Sequence, residues 1–350
     1  MYRPNKKKGY WFDDEFQSFI KGFYSYKSTY RDARKLSIEI DRVSNNLFAE
    51  RRRADRRYFL VEHTNPVLVN DLTDYFLEDY SRHRGKLYGQ YFSLTGFFSG
   101  IMHHLLVYGD CFSALDWEKK TIEDRNYILP SDFRYLSNSS MSVLRSSKGI
   151  INGYKQRYSF FSRVRHDSTI EKVNEFNFRK DEIFYTIYPL DKEHPVKKSL
   201  GLLKPILKFW DYMLEEAEAN AQTADHRLDL EIARFQRYSE QKRSYALARA
   251  KVRKNFHYLL DLDNLTITEY YDIYWVTRYK KELNQVREYF VEEFNNQILV
   301  PFAKKNKISP APQLKLQGFM TNDEIDIYFE NYKNKTINSK EFIEEVVNKG

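Results

Sequence analysis

The spacing of apolar residues changes twice along this 350-residue chain, and these changes constrain its fold more than any other feature. In 13–59 and 81–109 the apolar positions recur every three or four residues, which is typical of amphipathic helices. Between residues 110 and 198 they alternate around short polar breaks, which predicts a hairpin and further strands. Helical spacing returns at residue 199, with one β-branched and aromatic interruption at 261–276 that predicts another strand. The sequence therefore predicts an α+β fold, mainly long helices with a β-rich middle.

The end of the chain predicts two short helices, each opened by a polar cap. Thr321 or Asn322 precedes the first apolar run, and Asn338 or Ser339 precedes the second. Only 12 glycines and 9 prolines occur in the whole sequence, so long flexible linkers are not expected.

Charge is spread unevenly along the chain. The formal net charge is +8, which suits an anionic partner. Residues 1–60 carry fifteen basic and eight acidic side chains, whereas residues 317–350 carry four basic and seven acidic ones. This asymmetry predicts an elongated object whose two ends meet different partners.

Cysteine usage and hydropathy bear on the compartment. Cys111 is the single cysteine, which excludes an intramolecular disulfide and a cysteine-based zinc cluster. No stretch approaches the roughly 18 apolar residues of a membrane helix, and the basic start has no apolar core of a signal peptide. We therefore expect a protein that is made and used without crossing or entering a membrane.

The motifs of the common catalytic chemistries do not occur in the sequence. It contains no P-loop, no GxGxxG, no GxSxG elbow and no HExxH. His103 and His104 are adjacent, so on a helix they point about 100° apart and cannot chelate one metal. A calcium loop starting at Asp261 would need glycine and glutamate where Thr266 and Asp272 stand. The sequence therefore predicts no catalytic residue, no cofactor and no metal site.

One short pattern keeps a nuclease open as an alternative. Asp110, Glu118 and Lys120 are spaced like the acid and ExK elements of restriction-type nucleases. Two carboxylates on adjoining strands would hold Mg²⁺, and the lysine would steady the attacking water. So short a motif has a high false-positive rate, and charged residues at a hairpin tip also account for it.

Two basic stretches suit contact with phosphate, which adds affinity without reading sequence. The first is a patch of five arginines that surround most of a helix: Arg51, Arg52, Arg53, Arg56 and Arg57. A solvated or intersubunit face of ion pairs explains the patch equally well. The second lies in 227–256, whose basic side chains surround the helix axis and so cannot read a DNA groove. Its candidates for lining a DNA channel are Lys242, Arg243, Arg249, Lys251, Arg253 and Lys254.

The order of these segments resembles the portal proteins of tailed bacteriophages. HHLLVYGDCFSALDWE is similar to the family's helix that runs into a wing strand, and YILPSDFRYL with GYKQRYSF is similar to its later strands. The nearest similarity is FRKDEIFYTIYP followed by SLGLLKPILKFW, a strand, a loop and a Gly-Leu-x-Pro-like helix start. The late helix and the short helical tail extend the resemblance over roughly residues 80–350, although the chain is short for a portal.

The resemblance implies a wing, stem and clip architecture. It assigns a wing-like region to 81–198, a stem and clip to 199–275, a returning wing helix to 276–316 and a reduced crown to 317–350. Residues 1–80, which precede the resemblance, are expected to form a basic helical segment. It also implies a ring, usually of twelve subunits, at one vertex of the capsid in the virion, assembled in the host cytoplasm. The expected partners are the major capsid protein, the large terminase subunit, a neck adaptor and double-stranded DNA. A basic nucleic-acid-binding scaffold protein remains a further alternative.

Overall fold

The computed structural model describes part of the chain, and the elements below lie within that part: residues 38–40, 42–44, 47, 58–78, 94–136, 138–160, 172–187, 201, 246–251 and 270–349. The chain divides into two compact units, and each unit is built from three segments that are separate in the sequence. Unit 1 comprises Met1–Ile40, His103–Glu118 and Pro130–Asn255. Unit 2 comprises Asp41–Met102, Lys119–Leu129 and Phe256–Gly350. The predicted division into five consecutive regions stays a prediction.

Strands and helices both occur, which confirms the α+β class. The described strands are β1 (Phe59–Glu62), β2 (Cys111–Ile122), β3 (Arg125–Tyr135), β4 (Met141–Arg145), β5 (Ile151–Phe160), β6 (Lys172–Arg179), β7 (Ile183–Thr186) and β8 (Gln313–Leu316). The described helices are α1 (Pro66–Thr73), α2 (Leu94–Tyr108), α3 (Tyr270–Phe294), α4 (Val300–Asn306), α5 (Asn322–Lys333) and α6 (Ser339–Phe342). Turns of π-helix extend α1, α3 and α6: Asp74–Glu78, Asn295–Leu299 and Ile343–Lys349. None of the described helices is long and apolar enough to cross a membrane.

Unit 1 is built on two small antiparallel sheets. In one, β2 lies between β3 and β7; in the other, β5 lies between β4 and β6. The first five residues of β2 and all four of β7 are buried, so that sheet is covered on both faces there, whereas β4 alternates between partly buried and exposed residues; one face of each sheet is directed at the other. Those faces share a core of Phe112, Ala114, Leu136, Tyr154, Ile183 and Tyr185. The predicted hairpin and following strands are therefore confirmed.

Gly153 lies inside β5, between two neighbouring strands. It pairs with Leu144 of β4 and with Arg179 of β6. A Cβ atom at this position would come within 2.7 Å of the carbonyl oxygen of Phe178, closer than such atoms approach in proteins. Glycine is required here because the neighbouring backbone passes too close for any side chain.

Unit 2 has a core made largely of phenylalanine. Phe294 of α3 packs against Phe76, Phe97 and Phe98 with ring centroids 5.5 to 6.4 Å apart. The edge-to-face geometry of these pairs is the favoured one for aromatic rings. The two-stranded sheet of β1 and β8 closes one side of this core, with Phe59 opposite Leu316.

The C-terminal helices confirm the caps expected from the sequence. The Thr321 hydroxyl accepts a hydrogen bond from the Glu324 amide, and the Glu324 carboxylate accepts one from the Thr321 amide. Asn338 and Glu341 make the same reciprocal pair at the start of α6. At each helix start, two backbone amides that have no partner within the helix donate to these side chains, so both helices begin at a defined residue.

The segment 270–276 corrects one expectation. Its aromatic and β-branched residues predicted a strand, but they form the first two turns of α3. Ile273 and Val276 are buried on one side of that helix. Burial against a helical core outweighs the weak preference of such residues for strands.

Candidate functional site

The C-terminal end of α2 is the point in unit 1 where distant segments of the chain meet. Gly109 follows the helix with a φ of +88°, a conformation that glycine adopts without strain. Its amide donates to the carbonyl oxygen of Leu105 at 2.9 Å. The amide of Gly201 donates to the same oxygen at 2.9 Å, although it lies 92 residues further along the sequence. One helix end therefore fixes the backbone of two separate segments.

The two glycines are also in direct contact. A Cβ atom on Gly201 would lie 3.4 Å from the Tyr108 carbonyl oxygen and 3.6 Å from the Gly109 Cα atom. Gly201 also has a positive φ, +63°. Positive φ angles favour glycine at both positions, in VYGD and in SLGLLKP, and the two backbones lie in contact.

Strand β7 brings a third segment to the same place. It pairs antiparallel with the start of β2, with Cys111 opposite Thr186 and Ala114 opposite Ile183. The indole nitrogen of Trp117 donates to the Asp181 carbonyl oxygen at 2.7 Å, just before β7. The segments GDCFSALDW, DEIFYT and the glycine of SLGL therefore lie together in unit 1. We call this arrangement the α2 junction.

A partly buried polar network supports the α2 junction. The side-chain amide of Asn138 donates to both the backbone oxygen and the carboxylate of Asp110, at 2.6 and 2.7 Å. The ring of His104 lies on the ring of Tyr135, 4.4 Å between centroids, and its Nδ1 atom is 3.4 Å from the Asn138 Oδ1 atom. Burial and then the neighbouring charge of His103 lower the pKa of His104 to about 3. His104 is therefore neutral and structural at ordinary pH.

The expected arrangement of the nuclease residues is wrong. Asp110 immediately precedes β2, and Glu118 lies within that same strand, because the hairpin turns only at Glu123 and Asp124. Eight residues of extended strand separate the two carboxylates by about 26 Å at roughly 3.3 Å per residue. Two ligands of one Mg²⁺ ion must lie within about 4 Å of each other. In the described part of the chain, no group of three His, Cys, Asp or Glu residues could hold a metal.

The structure describes two of the six channel candidates. Arg249 Nε donates to the Glu39 carboxylate at 2.9 Å, and this carboxylate is 8% exposed. Lys251, two residues further along, is exposed. The remaining candidates, Lys242, Arg243, Arg253 and Lys254, lie outside the described residues, as do Arg51, Arg52, Arg53, Arg56 and Arg57 of the basic patch. Their roles stay predictions.

Unit 2 contains a buried carboxylate that the sequence did not single out. Asp71 of α1 accepts two hydrogen bonds from Arg125, at 2.6 and 2.7 Å, and one from the Tyr127 hydroxyl at 2.7 Å. Asn306 of α4 holds the next residue, Ile128, through both its backbone amide and its carbonyl. These contacts fix the tip of the β2–β3 hairpin on two helices. No sequence motif links a helix residue to a hairpin more than fifty residues later.

A buried arginine on α3 makes a second connection in unit 2. Arg287 donates to the Leu47 carbonyl oxygen at 2.6 Å and to Asn284 at 2.8 Å, and it lies 4.1 Å from the ring centroid of Phe319. Burial lowers the pKa of Arg287 to about 10, so the group stays charged at neutral pH. Hydrogen bonds and a cation–π contact offset the desolvation of this charge.

The comparisons with known proteins add no family. A scan against protein-family models finds no match, and a search of curated proteins finds none either.

Proposed function

We propose that this chain is the portal protein of a tailed bacteriophage. In this proposal it forms a ring at one capsid vertex and conducts double-stranded DNA during packaging and ejection. It docks the large terminase subunit first and the neck adaptor later. The proposal rests on the portal-like order of its segments, and one structural observation supports it.

That observation is the α2 junction. Three of the segments that carry the portal resemblance are VYGDC, DEIFYT and SLGLLKP, and the glycines of the first and the last, Gly109 and Gly201, lie 92 residues apart in the sequence. In unit 1, β7 pairs with the start of β2, and Gly201 shares the Leu105 carbonyl with Gly109. Residues that lie far apart in the sequence, including Gly201 of the last segment, are therefore in contact in unit 1. A chance resemblance of scattered motifs would not require them to be in contact.

The proposed conduit requires no reaction centre in the subunit. Energy for packaging comes from the separate terminase, so the subunit has to assemble and to let DNA slide. A wall for sliding DNA should present dispersed and partly compensated charge. The ion pair of Arg249 with Glu39 is an example of such compensation.

Electron microscopy of the purified protein in negative stain tests the proposal. We expect rings with a central hole, and mass photometry should give a mass that is a multiple of the 42.3 kDa subunit, near twelvefold. A monomer at micromolar concentration would contradict the proposal. The scaffold alternative instead predicts a monomer whose DNA affinity falls steeply with salt.

A further inference from the structure

Two asparagines in unit 2 bind the backbone of a strand in the same way. Asn306, at the end of α4, donates from its side-chain amide to the Ile128 carbonyl oxygen at 2.9 Å, and its Oδ1 atom accepts from the Ile128 amide at 2.8 Å. Asn295, directly after α3, donates to the Leu314 carbonyl oxygen at 3.0 Å and accepts from the Leu314 amide at 2.7 Å. Each side chain therefore occupies both polar backbone groups of one strand residue, as a neighbouring antiparallel strand would.

Both of these strand residues face the outer edge of their sheet. Among the described strands, β3 lies at the edge of its sheet, and β8 is paired with β1 alone. An amide has one hydrogen to donate, so the Ile128 amide, which donates to Asn306, does not serve the ladder with β2. The Gln317 amide donates to the Tyr58 carbonyl oxygen, so the odd-numbered residues of β8 face β1 and Leu314 faces outward.

A proline lies two residues from each of these strand residues, on the same edge. Pro130 follows Ile128 within β3, and Pro312 precedes Leu314, directly before β8 begins. Because the backbone groups of successive residues point to alternate edges, each proline shares the edge of its neighbour two positions away. Proline has no N–H to donate and is confined in sheets to edge positions. Each edge thus loses two neighbouring donors, one to an asparagine and one to a proline.

We propose that Asn295 and Asn306 close the outer edges of β8 and β3 against a strand from a second copy of this chain. An edge strand with free backbone groups is a template for pairing, and proteins block such edges with prolines, charges or covering segments. A second copy is the strand to be excluded, because every copy carries the same edges and two identical edges can pair about a twofold axis.

Anchoring of the helices alone does not explain this arrangement. A single hydrogen bond to either backbone group would hold the end of α3 or α4 against its strand. Instead, both polar groups of the strand residue are occupied, and the next donor on the same edge is missing at Pro130 and at Pro312. The same pair of features occurs on two edges of different sheets. This edge closure goes beyond the proposed function and does not depend on it.

Opening one edge at a time tests the closure. The first variant carries Asn306→Ala and Pro130→Ala, and the second carries Asn295→Ala and Pro312→Ala. Each variant frees both backbone groups of the strand residue and restores an N–H two residues away. Asn306→Asp and Asn295→Asp are milder, because aspartate keeps the shape and the acceptor for the strand amide but cannot donate to the strand carbonyl.

Asn284→Ala is the matched control for the loss of a partly buried amide. Asn284 lies on α3, and its side-chain amide donates to the Met320 carbonyl oxygen at 2.8 Å and to Asn322 Oδ1 at 3.1 Å. Neither partner belongs to a strand. This variant therefore loses side-chain hydrogen bonds of the same kind without opening a sheet edge.

Hydrogen exchange reports the two caps directly, because the Ile128 and Leu314 amides each donate to an asparagine. We expect the amide of the opened edge to exchange about tenfold faster in each alanine variant. Mass photometry and light scattering of the full chain should show species larger than those of the wild type at the same concentration. The infrared spectrum should show additional intermolecular β-sheet. Asn284→Ala should lose stability without forming these species.

Three results would overturn the proposed closure. If the amides exchange faster but the alanine variants keep the mass of the wild type, the asparagines only hold α3 and α4 in place. If Asn284→Ala forms the same larger species, lost stability and not an open edge causes the association. If the alanine variants do not fold, the aspartate variants decide, and faster exchange with the mass of the wild type refutes the closure. Each comparison is made with the wild type, so the outcome does not depend on whether the chain forms a ring.

Discussion

Replacing Asp71 should release the tip of the β2–β3 hairpin from α1 in unit 2. The carboxylate is 1% exposed and accepts three hydrogen bonds, two of them from a guanidinium. Asp71→Asn keeps the shape but removes the charge and places an amide donor beside other donors. A hydrogen bond to a charged group contributes roughly 1.5 to 3 kcal/mol, so we expect a local loss of about 2 to 3 kcal/mol. Tyr127→Phe removes one hydroxyl and should cost about 1 kcal/mol.

Hydrogen exchange of the amides in 125–128 measures this loss, because local opening of the tip does not require the whole chain to unfold. The expected change is about 30- to 150-fold faster exchange for Asp71→Asn, at tenfold per 1.4 kcal/mol. The matched control is Glu123→Gln, which removes the second carboxylate on Arg125, at 3.1 Å and 70% exposed. This control should leave exchange unchanged, since exposed ion pairs contribute little. Equal effects of Asp71→Asn and Glu123→Gln would refute the reasoning.

The same carboxylate gives the hairpin tip an acid dependence. Burial by itself raises the pKa of Asp71, but hydrogen bonds from Arg125 and Tyr127 outweigh burial and hold the pKa below its ordinary value. Because the pKa of Asp71 is lower in the folded state, the stabilisation that its carboxylate gives to the hairpin tip is complete above the pKa of the unfolded chain. It is lost as the pH falls through the folded value. The protection factor at the tip, which corrects exchange for the intrinsic amide rate at each pH, should therefore fall on acidification below about pH 4 in the wild type and change less in Asp71→Asn.

Three further changes have defined outcomes. His104 stays neutral in the folded state down to about pH 3, so it takes up a proton on unfolding below about pH 6.5. The free energy of unfolding should therefore fall toward acid by up to about 1.4 kcal/mol per pH unit. Urea unfolding of His104→Phe at several pH values should lack this contribution to the pH dependence. Gly153→Ala should cost about 1 to 3 kcal/mol and speed exchange along β6, whereas Gly149→Ala, with open space around it, should leave β6 unchanged. Gly201→Ala should cost about 1 to 2 kcal/mol through its positive φ, seen as faster exchange at the end of α2.

Local signals allowed several elements to be predicted from the sequence. The end of α2 at Gly109 and the caps at Thr321 and Asn338 each depend on a few neighbouring residues. A glycine that permits positive φ or a reciprocal pair of side chain and amide acts within one turn of helix. Such helix ends do not depend on the rest of the fold, so they can be predicted from a few neighbouring residues.

Pairings between distant residues could not be predicted in this way. Strands β1 and β8 have four residues each and pair across about 250 residues of sequence, so neither has a pattern long enough to recognise. The nuclease spacing failed for a related reason. It assumed a turn between Asp110 and Glu118, but β2 continues to Ile122. A spacing in residues fixes a distance in space only when the position of the turn is known.

The pairing of Arg249 changes how a basic helix should be interpreted. Composition alone made Arg249 and Lys251 equal candidates for contact with DNA. Glu39 is nearly buried, so moving Arg249 to a phosphate would leave a carboxylate without its cation in a poorly solvated place. Lys251, by contrast, is exposed. If 246–251 lines a channel, substitution of Lys251 should therefore alter DNA passage, while Arg249→Ala should act mainly through the stability of unit 1.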